Sequence, residues 1–281
     1  MLGGGLLLLQ GWQQLRQEAP WPAATLPALQ AGLLAALATA LGTLPALGAR
    51  QLGTRGLDGL MGFGAGVMLA ACAFSLILPG LEAARSLASP GMAAGQMALA
   101  VLLGAWALMG LDRWLPHEHF IKGREGPEGA ASAQRLRRGT LFAIAVSLHN
   151  LPEGLAMGVA FAGGDTAGAA SLSLAIALQD LPEGFVIAVA LMSLGYSRRR
   201  ALLLGATSGL VEPVGAVLGA WVVSQWQPLL PWGLGFAAGA MLFVISHEII
   251  PESHRQGHER WATQGLMLGF ALMLVLDTAL G

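Results

Sequence analysis

The chain has 281 residues, is 55% hydrophobic and 11% charged, and carries a net charge of −1. An average soluble domain holds roughly 25% charged residues, so this composition, with a mean hydropathy of +0.63, excludes an ordinary water-soluble globule and makes lipid the solvent. A charge near zero excludes a global basic field for nucleic acid, and the single cysteine, Cys72, excludes an intramolecular disulfide and a cysteine-based zinc site.

Residues 1–24 come first. Leu6 to Leu9 are apolar, but no basic stretch precedes them and no small-residue cleavage site follows, so a short interfacial segment is expected in place of a cleaved signal. Crossing the hydrocarbon takes about 20 mostly apolar residues as a helix. Eight segments meet that length, near 25–48, 57–84, 92–114, 138–162, 168–194, 200–225, 229–251 and 262–280. Their Ala, Leu and Gly content argues against strands. The fold class is thus an all-α polytopic membrane protein. The chain divides into the interfacial 1–24, three spans in 25–115, a loop at 116–137, two spans in 138–194 and three spans in 195–281.

Basic residues test the span count, because cytoplasmic loops retain Lys and Arg. With both termini outside, thirteen of the fifteen Lys and Arg fall inside, and only Arg16 and Arg85 fall outside. That assignment puts the 116–137 loop in the cytoplasm. The second span carries Gly62-Phe63-Gly64-Ala65-Gly66-Val67-Met68-Leu69, and the seventh echoes it with Gly235-Phe236-Ala237-Ala238-Gly239-Ala240-Met241-Leu242. The echo and its partner are five spans apart in chain order, an odd step, so the halves run in opposite directions, as in inverted-repeat transporters. Helix packing through small residues explains the glycines but not the shared Phe, Met and Leu.

Ionisable groups inside apolar spans are costly and need a reason. His149 and Glu153 stand four apart in the fourth span, one turn apart on one helix face. Gln179 and Glu183 repeat that spacing in the fifth span, with Asp180 between them. Imidazole nitrogen with carboxylate oxygen is a donor set for Zn²⁺ and its neighbours, not for Mg²⁺ or Ca²⁺. Pro152 and Pro182 are expected to break both helices and free the carbonyls of Leu148 and Leu178 beside Asn150 and Asp180. Glu212, just before Pro213 in the sixth span, can join Asn150, Asp180 and Glu183 in a second metal site. Four carboxylates in apolar helices require neutralisation. Divalent cations supply it directly; protonated, interhelically hydrogen-bonded carboxyls are the alternative.

Two peripheral groups complete the set. His247 and Glu248, followed by Glu252, His254 and His258, mark the cytoplasmic end of the seventh span as an exit side. Ser75, Glu82 and Asp277 form the opposite, entrance side, where acids would gather cations. His117 and His119 lie in the 116–137 loop and need no role beyond solvation.

At His149 to Gly154 and Gln179 to Gly184 the chain resembles the ZIP family of divalent metal transporters, most nearly its bacterial, GufA-type branch. The resemblance extends from about Leu57 to Gly281 and implies eight helices arranged 3 + 2 + 3 around a binuclear site. It implies that Met68, which packing alone would explain, joins His149, Glu153, Gln179 and Glu183 at a first, transported-metal site. Asn150, Asp180, Glu183 and Glu212 match a second. It further implies uptake of Zn²⁺, with Cd²⁺, Fe²⁺ or Mn²⁺ as further cargo, towards the cytoplasm of a bacterial inner membrane by alternating access in a homodimer. Gln179 departs from the histidine that many relatives carry and weakens strict zinc selectivity. The rival reading is an intramembrane zinc-dependent hydrolase, which needs an open metal position and a general base; a cation channel is a third.

Overall fold

The computed structural model describes residues 21–48, 54–114, 149–255 and 257–280. The expectations for residues 1–20 and for the 116–137 loop, with His117 and His119, lie outside the described residues. Everything described is helical or in short connections. Helix α1 spans Thr25–Thr43 and α2 starts at Thr54–Ala70; α3 spans Pro90–Trp114 and α5 spans Thr166–Ser193. Helix α4 is described over 149–162. Helix α6 is made of Arg198–Ser208 and Val211–Gln225, α7 starts at Leu230–Val244, and α8 spans Glu259–Leu280. Seven of these spans are long and apolar enough to cross a membrane; α4, described only from residue 149, is the eighth.

Glycines decide how closely the helices approach, because a missing Cβ lets backbones touch. On α2, a Cβ at Gly62 or Gly66 would run into the backbone of α8 at Ala262 or Leu266, and Gly265 and Gly269 of α8 face α2 in return. The same relation joins α7 to α3, through Gly239 against Val101 and Gly104 against Phe236. Gly42 and Gly184 lock α1 to α5, and Gly154, Gly158, Gly215 and Gly219 lock α4 to α6. Exchanging the first three spans with the last three turns α2·α8 into α7·α3. The pairing itself therefore carries the inverted repeat that the echoed sequence suggested.

Helices α3 and α8 form the rim: only 22% and 17% of their apolar windows are buried, against 61% in α2 and α5. The central helices pack one contiguous core that includes Met68, Cys72, Met157, Ile176 and Met241.

The departures from regular α-helix differ from those expected. Neither proline breaks its helix among the described residues: Pro152 lies inside the continuous 149–162 of α4, and Pro182 does not break α5, which runs without interruption from Thr166 to Ser193. The proline removes one N–H, but Gly42 and Gly184 press α1 against α5 on either side of it and hold the ladder in line. The break lies in α6 instead, at Gly209-Leu210 between its two segments. Pro213 has no N–H to offer the Gly209 carbonyl, which accepts from the Glu212 N–H at 3.0 Å and tightens the turn. Two π-helical stretches were not foreseen: Ala71–Ile77, after which α2 resumes as Leu78–Arg85, and Ile245–Ile249, after which α7 resumes as Ile250–His254. Each ends two residues before a proline, Pro79 or Pro251.

Candidate metal centre

The middle of the bundle collects polar groups from α1, α4, α5 and α6. Asn150, Glu153, Gln179, Asp180 and Glu212 are at most 2% exposed. Each sits next to a tight helix crossing. Glu153 and Asn150 flank the α4·α6 contact at Gly154, and Glu212 begins the segment of α6 that follows the break, where α1 passes Pro213 at Gly32. Gln179, Asp180 and Glu183 stand on the unbroken part of α5 that packs against α1.

One oxygen each from Glu153, Asp180 and Glu183 falls within 4.8 Å of the others. A single cation drawing these oxygens slightly closer can be held by all three carboxylates. Two amides hold the acids. Asn150 Nδ2 donates to Glu212 Oε1 at 3.0 Å, and the Thr39 hydroxyl of α1 donates to the same oxygen at 3.1 Å. Gln179 Nε2 donates to Glu153 Oε1 at 2.6 Å and to Asp180 Oδ1 at 2.7 Å. The second oxygens, Glu153 Oε2, Asp180 Oδ2 and Glu212 Oε2, are buried without a hydrogen-bond partner, as is Asn150 Oδ1. Buried oxygens normally find donors. Four unmet acceptors on the side chains of this centre fit a cation better than a set of mutually bonded carboxyls.

His149 leads out of this cluster. Its Nε2 lies 2.8 Å from Glu248 Oε1 on the π-helical stretch of α7. Met68 is buried on α2, one turn after Gly64 and on the same face; a Cβ at Gly64 would lie 3.6 Å from Gln179 Oε1. Met68 therefore lines the side of α2 turned to α5.

The peripheral residues separate. On the exit side, Glu248 reaches His149, whereas the exposed His247 stacks on Phe243 with ring centroids 5.0 Å apart. His258 is not gathered with them by any described bond: its Nδ1 lies 2.9 Å from Asp58 Oδ2, at the junction of α2 and α8. On the entrance side, Ser75 donates to Asp277 Oδ1 at 2.7 Å, and Glu82 is exposed near the end of α2. Two residues escaped the sequence reading. Thr39 gives no signal, since a threonine in an apolar span is ordinary; Asp58, only 1% exposed, did give one as an acid at the head of a span.

Residues 115–277 match the family described as ZIP Zinc transporter. The zinc transporter ZIPB of Bordetella bronchiseptica is 52% identical over 245 residues, which cover 87% of this chain and 78% of that one. The chain belongs to the ZIP zinc transporter family. Zinc transporter GufA of Myxococcus xanthus is 48% identical over 90% of this chain and 98% of its own length. The similarity reaches the zinc transporter ZIP11 of Homo sapiens, 34% identical over 80% of this chain and 89% of that one. ZIP proteins are membrane transporters and not enzymes, and the comparisons lend the intramembrane hydrolase no support.

Proposed function

We propose that this ZIP protein carries divalent transition metal ions, Zn²⁺ foremost and Cd²⁺, Fe²⁺ or Mn²⁺ in competition, across a bacterial inner membrane into the cytoplasm. The observation that carries the proposal is the convergence of Glu153, Asp180 and Glu183 oxygens within 4.8 Å, together with buried acceptors without donors on Asn150, Glu153, Asp180 and Glu212. Two overlapping sites share Glu183. Met68, His149, Glu153, Gln179 and Glu183 hold the transported ion, with thioether, imidazole, amide and carboxylate donors suited to a borderline-soft cation. Asn150, Asp180, Glu183 and Glu212 hold a second ion through oxygen alone.

Direction follows from the basic residues. Among the described residues, Arg55, Arg198, Arg199, Arg200, Arg255 and Arg260 lie at the span ends joined by the Arg198 contact with Leu47 and the His258–Asp58 pair. That end is the cytoplasmic one, with both termini outside. Metal enters past Ser75, Glu82 and Asp277, sheds water into the His149/Glu153/Glu183 site, and leaves when His149 turns to its partner Glu248. His247 and His258 stand further along that exit. The transporter works as a homodimer, which cross-linking in detergent would reveal as a doubled mass.

Uptake of labelled Zn²⁺ into proteoliposomes tests the function. The native protein is expected to concentrate label inside vesicles, and both Glu183→Ala and His149→Ala to lose it. Undiminished flux in either variant would overturn the site.

A further inference from the structure

Gln179 does more at the centre than one ligand requires. Its single Nε2 bonds two carboxyl oxygens at once, Glu153 Oε1 at 2.6 Å and Asp180 Oδ1 at 2.7 Å. A primary amide nitrogen has two hydrogens, so it can serve both. The reversed amide would set its oxygen against two acceptor oxygens at those distances, and so the nitrogen is the atom that fits. Oε1 points the other way, towards the backbone of α2 near Gly64.

In that orientation Glu153 and Asp180 offer a cation only their second oxygens, and the Gln179 nitrogen offers it no lone pair. An ion there loses Glu153 Oε1 and Asp180 Oδ1 to Nε2, and an N–H aimed at it is repulsive. Only after its amide turns over does Gln179 offer Oε1 as a donor atom. We propose that Gln179 alternates between these two orientations in each transport cycle: oxygen inward with cargo, nitrogen inward without it. In the second orientation it bonds one oxygen of each of two buried acids while the empty carrier returns across the membrane. This role rests on the two-site reading above and adds a step to it.

An amide suits the task because it supplies either a lone pair or two donors without gaining or losing a proton. Imidazole at the same position offers one nitrogen at a time, and changing that atom from donor to ligand requires a proton to move. Gln179 is a positioning residue for the empty carrier as well as a ligand for the loaded one.

The test separates two modes of transport in the same proteoliposomes. Net zinc uptake requires the empty carrier to return; exchange of labelled for unlabelled zinc at saturating metal on both sides does not. Gln179→Met keeps a ligand atom, a thioether sulfur in place of the amide oxygen, and removes both N–H donors. The ratio of net uptake to exchange is expected to fall about tenfold in this variant, the scale set by leaving buried acceptors without donors. Gln179→His, which restores one donor, is expected to recover part of the ratio and to make it depend on pH. Net uptake and exchange falling in parallel, or neither falling, would overturn the proposal. If Gln179→Met does not fold, the ratio in Gln179→Ala is read the same way. Glu183→Ala in the same vesicles reports separately on the underlying site, since normal zinc flux there would sink the site and not the ratio.

Discussion

The bulge in α2 and the bulge in α7 occupy equivalent places in the two halves, yet their side chains do different things. In α2 the π-helical stretch carries Ser75, whose hydroxyl bonds Asp277 near the end of α8. In α7 it carries Glu248, which holds His149 at 2.8 Å where that residue leads out of the centre. Both stretches end two residues before a proline, so the same loss of an N–H shifts the ladder in each. The backbone plan is repeated; the chemistry is polarised. One bulge makes a hydroxyl–carboxylate contact at the rim, and the other is joined to the histidine of the metal centre.

The sharpest way to break that comparison is at the acid both sites share. Glu183→Ala is expected to lower zinc uptake by roughly 100-fold or more, measured as initial rates in proteoliposomes. A fall in only one direction of flux would mean that the halves do not share a centre. The symmetry of the packing comes next. Gly66→Leu and Gly239→Leu push a side chain into the backbone of the facing helix in each half. Each is expected to cost about 2 kcal/mol or more by overpacking, seen as similar drops in detergent melting temperature. Unequal drops would mean that the two crossings are not equivalent.

The third probe is chemical. Glu248→Ala removes the partner of His149 and is expected to slow net uptake about tenfold, the scale of losing an outer partner of a ligating histidine. Ser75→Ala removes only the hydroxyl bonded to Asp277 and is expected to change uptake by about twofold, the value of one part-exposed hydrogen bond. Initial-rate measurements on both variants decide it. Equal effects would erase the polarity between the bulges.

Much of this was legible in the residues themselves. The spans followed from length and apolarity, and the observed ends at Thr25–Leu47, Thr166–Met192 and Gln227–His254 lie within a few residues of those expected. The centre was legible because helical spacing places His149 with Glu153, and Gln179 with Glu183, on shared faces. What the sequence could not convey depends on neighbours. Whether a proline breaks a helix is decided by what presses on it: Pro182 is held between Gly42 and Gly184 contacts, whereas Pro213 follows a Gly209 carbonyl free to find another donor. The π-helical stretches are slips of the ladder that no residue pattern announces. Thr39 acquires meaning only from Glu212, 173 positions away, and the partner that Asp58 takes, His258, lies 200 positions away.

The most direct measurement of the central claim is anomalous X-ray scattering at the zinc edge from crystals grown with Zn²⁺. The account predicts a principal peak among the carboxylates of Glu153, Asp180 and Glu183, with Gln179 Oε1 turned towards it and a second peak beside Asn150 and Glu212. Zinc confined to the periphery, at the Asp58–His258 pair or around His247, with the central carboxylates still bonded by Gln179 Nε2, would contradict it.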